Sequence, residues 1–465
     1  MQTGILIDQN KTDTPADFVI RIFAALDRVG ITYALLRGYD ELFTTNGFLE
    51  IDLLTQPDQS DRLEKTVTEL GFVELPSWGH RPHRFFFAYN KPSNSWVKLD
   101  VVTELCYGNP IRRFRIDLAK SCLAERKFQT IYTLSPAHEF FTLLLHGLLD
   151  KGEFRKSRGL RLIELRQVAA DNIGMKQKIN ALIQQYLAPV FSWEMIDHAL
   201  VREDWPALLR RCPALIREFR RREPLTSVWR DVSSRVLRRL RPLFFAFSGR
   251  GFSVALLAPD GAGKSTLSSA LADDPILKAR RIYMGGNLEA RTIGLPTTAW
   301  LHRRLKAQNG KTGGRDLFHS FLQALNFCNK LLEQWLRTFS ARYHLLHGRI
   351  VIFDRYVYDS WMNKKSVTLW KRLRRVLFES QLPKPDLVIL LDAPGEVLFE
   401  RKGEHTAVWL EEQRQRYLAL RERIPHLYVV DASQPAEQVK NEAIDLIWKH
   451  VAAQINLRKY GNRTT

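Results

Sequence analysis

Apolar residues recur at helical spacing over 15–28 (PADFVIRIFAALDR) and the run stops at Gly30, which predicts an amphipathic helix. ITYALLRG, FLEIDLLT, RFFFAYN and SWVKLDVV then read as strands, with a helical stretch, SDRLEKTVTELGF, between the second and third. This strand-rich, helix-interrupted unit covers 15–126. From Ser135-Pro136, a good N-cap and first-turn pair, the spacing turns helical through AHEFFTLLLHGLLD, RLIELRQVA, MKQKINALIQQYLAPV and EMIDHALV. A helical bundle is therefore expected over 130–222.

An Arg-rich segment, 223–250, holds a helix that Pro242 and two glycines should end, and it reads as a linker. Beyond it the rhythm changes. Short apolar strands at 253–257, 281–286, 349–355, 386–392 and 426–432 alternate with long helical stretches. Strands apolar throughout and separated by helices imply a parallel sheet covered on both faces. The expected architecture is α/β over 251–455, preceded by an α+β region with its bundle.

Composition narrows the class. The chain has 465 residues, 45% of them hydrophobic, which is ample for several cores and excludes a disordered chain. No apolar run approaches the ~18 residues of a spanning helix, and the N-terminus lacks a signal-peptide pattern, so a cytoplasmic protein is expected. Cys106, Cys122, Cys212 and Cys328 are far apart, which argues against a disulfide scaffold or a Cys-based metal site. The formal charge of +20 is unevenly placed: 1–200 is neutral, 201–250 carries +8 and 251–375 carries +13. Such a block concentrates polyanions.

Directly after the strand SVALL comes Ala258-Pro259-Asp260-Gly261-Ala262-Gly263-Lys264-Ser265-Thr266, followed by a helical stretch. This is G-x-x-x-x-G-K-[ST] with Ala258 at the first position, tolerable where that residue keeps a negative φ. Glycines let backbone N–H groups converge on phosphate oxygens, and the helix N-terminus adds its dipole. Lys264 then reaches the β/γ-phosphates of ATP, and the Ser265 hydroxyl suits Mg²⁺.

With these residues the last third, about 250–455, resembles a thymidylate kinase-type P-loop kinase. Asp260 through Thr266 is similar to that family's phosphate loop, and Asp260 would touch an acceptor hydroxyl. Asp354-Arg355-Tyr356, four residues before Ser360, resembles its D-R-Y-x-x-S motif. Asp392-Ala393-Pro394-Gly395-Glu396 with Arg401 resembles the segment opening the lid helix, and Val430-Asp431-Ala432-Ser433 the adenine-side loop. The resemblance implies an ATP- and Mg²⁺-dependent phosphotransferase. Lys264, Arg355 and Arg401 would neutralise charge in flight, with Ser265 and Asp354 towards the metal and Tyr356 at the acceptor. Arg342 either grips the acceptor phosphate or is a surface arginine. The stretches 285–289 and 361–365 depart from the family's base-reading segments. In this the chain is similar to diverged thymidylate kinase-like proteins of bacterial polysaccharide pathways, a resemblance that implies a sugar or sugar nucleotide as acceptor in place of the family's nucleotide.

In the first third, alternation puts Glu50 and Asp52 on one strand face, and Asp100 on a later strand can join them. Three converging carboxylates are how nucleotidyl transfer holds metal ions. With Leu36-Arg37-Gly38-Tyr39 the layout resembles the nucleotidyltransferase fold, although Tyr39 stands for its serine and Glu50 for its first aspartate. The three acids are either that second site or ordinary strand residues. A bifunctional enzyme, or a nucleotide-binding regulatory module without turnover, are the alternatives to a kinase alone.

His138 and His146 share one predicted helix without a third metal ligand nearby, which favours packing or surface roles. The 79–84 loop (GHRPHR) is basic and reads best as a solvated turn. The Arg-rich 217–241 stretch either bridges domains as a solvated helix or meets an anionic membrane surface or acidic partner; nucleic acid ranks below both. The oligomeric state is not legible.

Overall fold

The computed structural model describes residues 14–44, 47–77, 80, 82–109, 113–248, 251–285, 294–308, 317–362 and 384–460. The chain divides into two compact units, one reaching Arg241 and the other beginning at Pro242.

The first unit opens with the helix Pro15–Arg28. Thr14 caps it, accepting from the Asp17 N–H while the Asp17 carboxylate accepts from the Thr14 N–H, a reciprocal pair that fixes the helix start. Its strands are β1 (Tyr33–Leu35), β2 (Phe48–Thr55), β3 (Val73–Leu75), β4 (Arg84–Asn90), β5 (Ser95–Val102), β6 (Leu105–Tyr107), β7 (Phe114–Ile116), β8 (Lys127–Phe128) and β9 (Tyr132–Thr133). Seven of them form one mixed sheet in the order β3-β4-β5-β2-β1-β9-β8, and β6 and β7 pair separately. The central pair, β2 and β5, is parallel, with Glu50 opposite Lys98 and Asp52 opposite Asp100. Leu49 and Ile51 turn inward to Phe18, Ile22, Leu63 and Val67, so the helices Pro15–Arg28 and Ser60–Glu69 cover that face.

The helical region does not stand apart from this sheet. Ala34, Leu54 and Val102 share one core with Phe140, Phe141, Leu144, Leu162 and Ile183 of the helices Pro136–Leu145, Lys156–Asp171 and Ile173–Tyr186. A π-turn, His146–Lys151, prolongs the first of these.

Pro242 does not end the Arg-rich helix, which runs Pro224–Ser248 with the proline inside it. The missing N–H costs one ladder bond, and the flanking turns carry the helix across it. This helix is also inverted. Ser227, Asp231 and Ser234 are buried, while Leu225, Val228, Trp229, Val232 and Val236 are exposed.

The second unit holds β10 (Phe252–Leu257), β11 (Arg280–Tyr283), β12 (Ile350–Asp354), β13 (Leu387–Asp392) and β14 (Leu427–Asp431) in one sheet, order β11-β12-β10-β13-β14. Every pair is parallel. β10 is buried along its whole length, as its unbroken apolar run requires. The second strand is shorter than the pattern suggested, ending at Tyr283; residues 286–289 lie outside the described part. Among the described residues no disulfide forms and no helix is long and apolar enough to cross a membrane.

Candidate functional site

All five strands of the second unit end at one edge, where Tyr283 and Leu256 flank Asp354, and Asp392 lies beside Asp431. At this edge of an open parallel sheet, loops gather the groups that bind ligands. The loop after β10 turns through Gly261 (φ +93°) and Gly263 (φ +86°) into the helix Lys264–Ala272. A side chain at Gly261 would put Cβ 2.7 Å from the Leu398 carbonyl oxygen, so close approach and positive φ both demand glycine there. Ala258, at the position where the motif has its first glycine, is buried and outside the positive-φ region, which is why alanine fits.

No side chain caps the helix at Gly263. Its first-turn hydroxyls, Ser265 and Thr266, are exposed, while Lys264 is tucked in, its Nζ donating to the Ala258 carbonyl at 3.2 Å. Ala262 is buried and Asp260 half-buried at the loop's tip. The result is a glycine turn with a helix N-terminus, one ammonium and two exposed hydroxyls, a composition suited to a polyphosphate.

Asp354 ends β12 and is 1% exposed. Its Oδ2 accepts from Ser268 Oγ at 3.2 Å and from Arg281 Nε at 3.1 Å and Nη2 at 2.5 Å. Arg281 escaped the sequence reading. The available signal was an arginine inside a strand of a covered parallel sheet, where a charge needs a partner and the β11–β12 register supplies one.

Arg355 follows in the left-handed region, φ +62°, a conformation that costs a non-glycine residue ~1–3 kcal/mol. There its Nη2 meets Asp260 Oδ1 at 3.2 Å. Burial draws the guanidinium's pKa down, but Asp260, Tyr283, Asp359 and Tyr417 more than offset it, so the proton is held more tightly than usual. The Tyr417 hydroxyl donates to Asp359 Oδ1 at 2.7 Å, and burial followed by that carboxylate pushes the phenol well up. Asp359 Oδ2 is buried with no hydrogen-bond partner. Two positions expected to pull separately, Asp260 on the acceptor and Arg355 on phosphate, are thus joined beside an unsatisfied carboxylate oxygen.

Tyr356 lies in the core, 5.4 Å from Phe353 and 4.9 Å from Tyr358 between ring centroids, rather than at an open acceptor surface. Arg342 is an exposed residue of the helix Leu317–Leu346. On the same helix Arg337 is buried, donates to the Gly285 carbonyl at 3.1 Å, and pairs with buried Glu333. An i,i+4 Glu–Arg pair among apolar positions was the overlooked signal.

On the other side of the loop, the helix Gly395–Lys402 presents Arg401, whose Nη1 donates to the Ala432 carbonyl at 2.7 Å and Nη2 to that of Ser433 at 3.4 Å. Its guanidinium ties this helix to the loop after β14. Ser433 itself is turned to Asp431, donating through N and Oγ. Arg414 clamps Asp392 through Nε and Nη2 at 2.7 and 2.9 Å, fixing the next helix, Ala407–Leu418, to the end of β13.

The first unit brings its three acids together: Glu50, Asp52 and Asp100 offer oxygens within 4.8 Å of one another. Each already faces a cationic or ring partner. Arg37 Nε lies 2.6 Å from Asp52, Lys98 Nζ 2.5 Å from Glu50 and 3.8 Å from Asp100, and His83 Nδ1 2.6 Å from Asp100. The three oxygens converge as a metal-ligand set would, and these cations would have to give way before a divalent ion could take them. His83 therefore contacts an acid; Gly79 and Arg81 of the same loop lie outside the described residues. His138 is fully buried between Ser121 Oγ and Ser135 Oγ, a packing position, and burial holds its pKa down at about 4.

A five-stranded parallel sheet with a glycine loop, lysine and uncapped helix at its carboxyl edge has the form of a P-loop nucleotide-binding domain. Comparison with known proteins agrees: the thymidylate kinase family model matches residues 331–443. A probable thymidylate kinase of Thermococcus onnurineus is 30% identical over 210 residues, 40% of this chain and 93% of that protein. Those of Archaeoglobus fulgidus and Thermococcus kodakarensis are 26% and 29% identical, over 45% and 42% of this chain and 99% and 96% of their own lengths. The chain belongs to the thymidylate kinase family through its C-terminal half. It is a P-loop kinase, of a family that uses ATP as phosphoryl donor.

Proposed function

We propose that the second unit transfers the γ-phosphoryl of ATP to a small acceptor, a nucleoside monophosphate such as dTMP or a sugar-type relative of it. The observation that carries this reading is the Gly261–Thr266 loop, where two positive-φ glycines lead into a helix start without a side-chain cap, with exposed hydroxyls and an inward lysine. Phosphoryl transfer asks mainly for positioning and for neutralisation of moving charge. Lys264 exchanges the weak Ala258 carbonyl for phosphate oxygens. Arg355, preset in a strained backbone, moves from Asp260 to the transferring group, and Asp260 is then released to accept from an acceptor hydroxyl. Arg401 keeps the lid helix registered on the 432–433 carbonyls. Ser265 and Asp354 would hold Mg²⁺, which would supply positive charge to the polyphosphate. The Asp359 Oδ2 left without a donor beside Arg355 fits an acceptor that brings an N–H or O–H. A screen of γ-labelled ATP against nucleoside monophosphates and sugars, read by mass spectrometry, tests this. A single labelled product class is expected, and ATP consumed with no acceptor labelled would reject it.

For the first unit we propose the nucleotidyltransferase-like fold without metal-dependent transfer, supported by the converging but neutralised acids. Peripheral contact with an anionic lipid surface is supported by the inverted helix Pro224–Ser248, whose exposed Leu225, Val228 and Trp229 lie among arginines. Co-sedimentation of the full chain with vesicles containing phosphatidylserine, but not with neutral vesicles, is the expected result.

A further inference from the structure

The carboxylate face of the first unit borders a cavity of about 630 Å³, a volume ordinary for a small-molecule site. The start of the helix Lys156–Asp171 also lines it, through Arg155, Ser157 and Arg158. No side chain caps this helix at Arg155, so its first N–H groups are open to an anion.

The charges around the cavity are not equally committed. Asp52 is taken by Arg37, Glu50 by Lys98, and Glu139 and Glu164 by Arg161. Asp40 and Glu41 are exposed to water. Arg158 is different: half-buried, it has no carboxylate partner among the described residues, and its Nη1 is hydrogen-bonded to His146 Nε2. That contact requires Nε2 to accept, so the ring proton sits on Nδ1 and is donated to Asp150 Oδ2 at 2.9 Å. Asp150 Oδ1 in turn accepts the Gly108 N–H at 2.7 Å.

A backbone amide, an acid and a neutral imidazole thus form a buried chain that aims a guanidinium without neutralising it. The chain is seated in the His146–Lys151 π-turn, a backbone irregularity of the kind that often re-aims side chains at binding sites. Burial and then Arg37 draw the Arg158 guanidinium below its ordinary value, against the opposing pull of Asp52 and Glu41. Burial and several neighbouring cations likewise hold His146 far below the usual imidazole range, consistent with its neutral form.

We propose that this cavity is a receptor for the phosphate or diphosphate group of a small metabolite, held by Arg158, Arg155 and the open helix N-terminus without a divalent metal. The phosphate would supply the counter-anion that Arg158 lacks, and a bidentate guanidinium pairs well with it. The proposal is independent of the kinase reading, because the site lies wholly within the first unit.

The test is calorimetric titration of the full chain with inorganic pyrophosphate in EDTA, on a Lys264→Ala background that weakens the kinase loop. Binding is expected, with affinity at least tenfold lower in Arg158→Gln and lower by a smaller factor in Arg155→Gln. Arg155 is exposed, so its variant also serves if Arg158→Gln does not fold by circular dichroism. The proposal is overturned if pyrophosphate does not bind, if binding appears only when Mg²⁺ is restored, or if whichever of the two variants folds binds as the parent does.

Discussion

The phosphate loop of the second unit and the carboxylate face of the first are both charged constellations at the ends of strands, and they differ in what their charges touch. In the loop, Lys264 is matched among the described residues to a carbonyl, and Ser265 and Thr266 face solvent. On the face, Glu50, Asp52 and Asp100 each lie against Lys98, Arg37 or His83. A group engaged weakly is cheap to redirect to a ligand, whereas a half-buried ion pair must be broken before it can serve. Proximity of the right residue types is therefore only half of a site; the other half is their lack of better partners.

Lys264→Ala should sharpen this contrast most. Phosphoryl transfer is expected to fall ~10³-fold, the scale of losing a preorganised charge at the reacting centre, with little change in thermal midpoint. Steady-state ATP turnover checks it, and undiminished turnover would remove the loop from the chemistry. Next comes Arg281→Ala, which strands the buried Asp354 carboxylate with only Ser268. A loss of about 3 kcal/mol in denaturant unfolding is expected. A loss under ~1 kcal/mol would mean that Asp354 is not held by that pair. The smallest effect belongs to Asp52→Asn with Asp100→Asn. Metal-dependent pyrophosphate release from nucleoside triphosphates should be at background before and after. Release by the parent chain that the double variant loses would break the comparison outright.

Legibility in the sequence followed chain distance. Asp260 to Thr266 is contiguous because backbone N–H groups must converge over one turn, so its geometry is written in neighbouring letters. The five strands of the second unit were found to within a few residues, since a sheet covered on both faces demands unbroken apolar runs. Arg281 and Asp354 are 73 residues apart, and Arg355 and Asp260 are 95 apart. Nothing local marks either as a pair. Arg401 was legible as a cation at the lid, but not as the residue that holds the 432 and 433 carbonyls.

By itself the sequence determined the periodicities, hence the two kinds of sheet, and the glycine loop with its lysine, because both are dictated by interactions over a few residues. Tertiary structure alone decided which charges are spent on one another. Strand register brought Lys98 against Glu50, and the folding of the helix Lys156–Asp171 back on the His146–Lys151 turn set Arg158 beside a neutral imidazole. Charge pairing depends on distances of a few ångströms between residues far apart in the chain, and those distances exist only once the cores have closed.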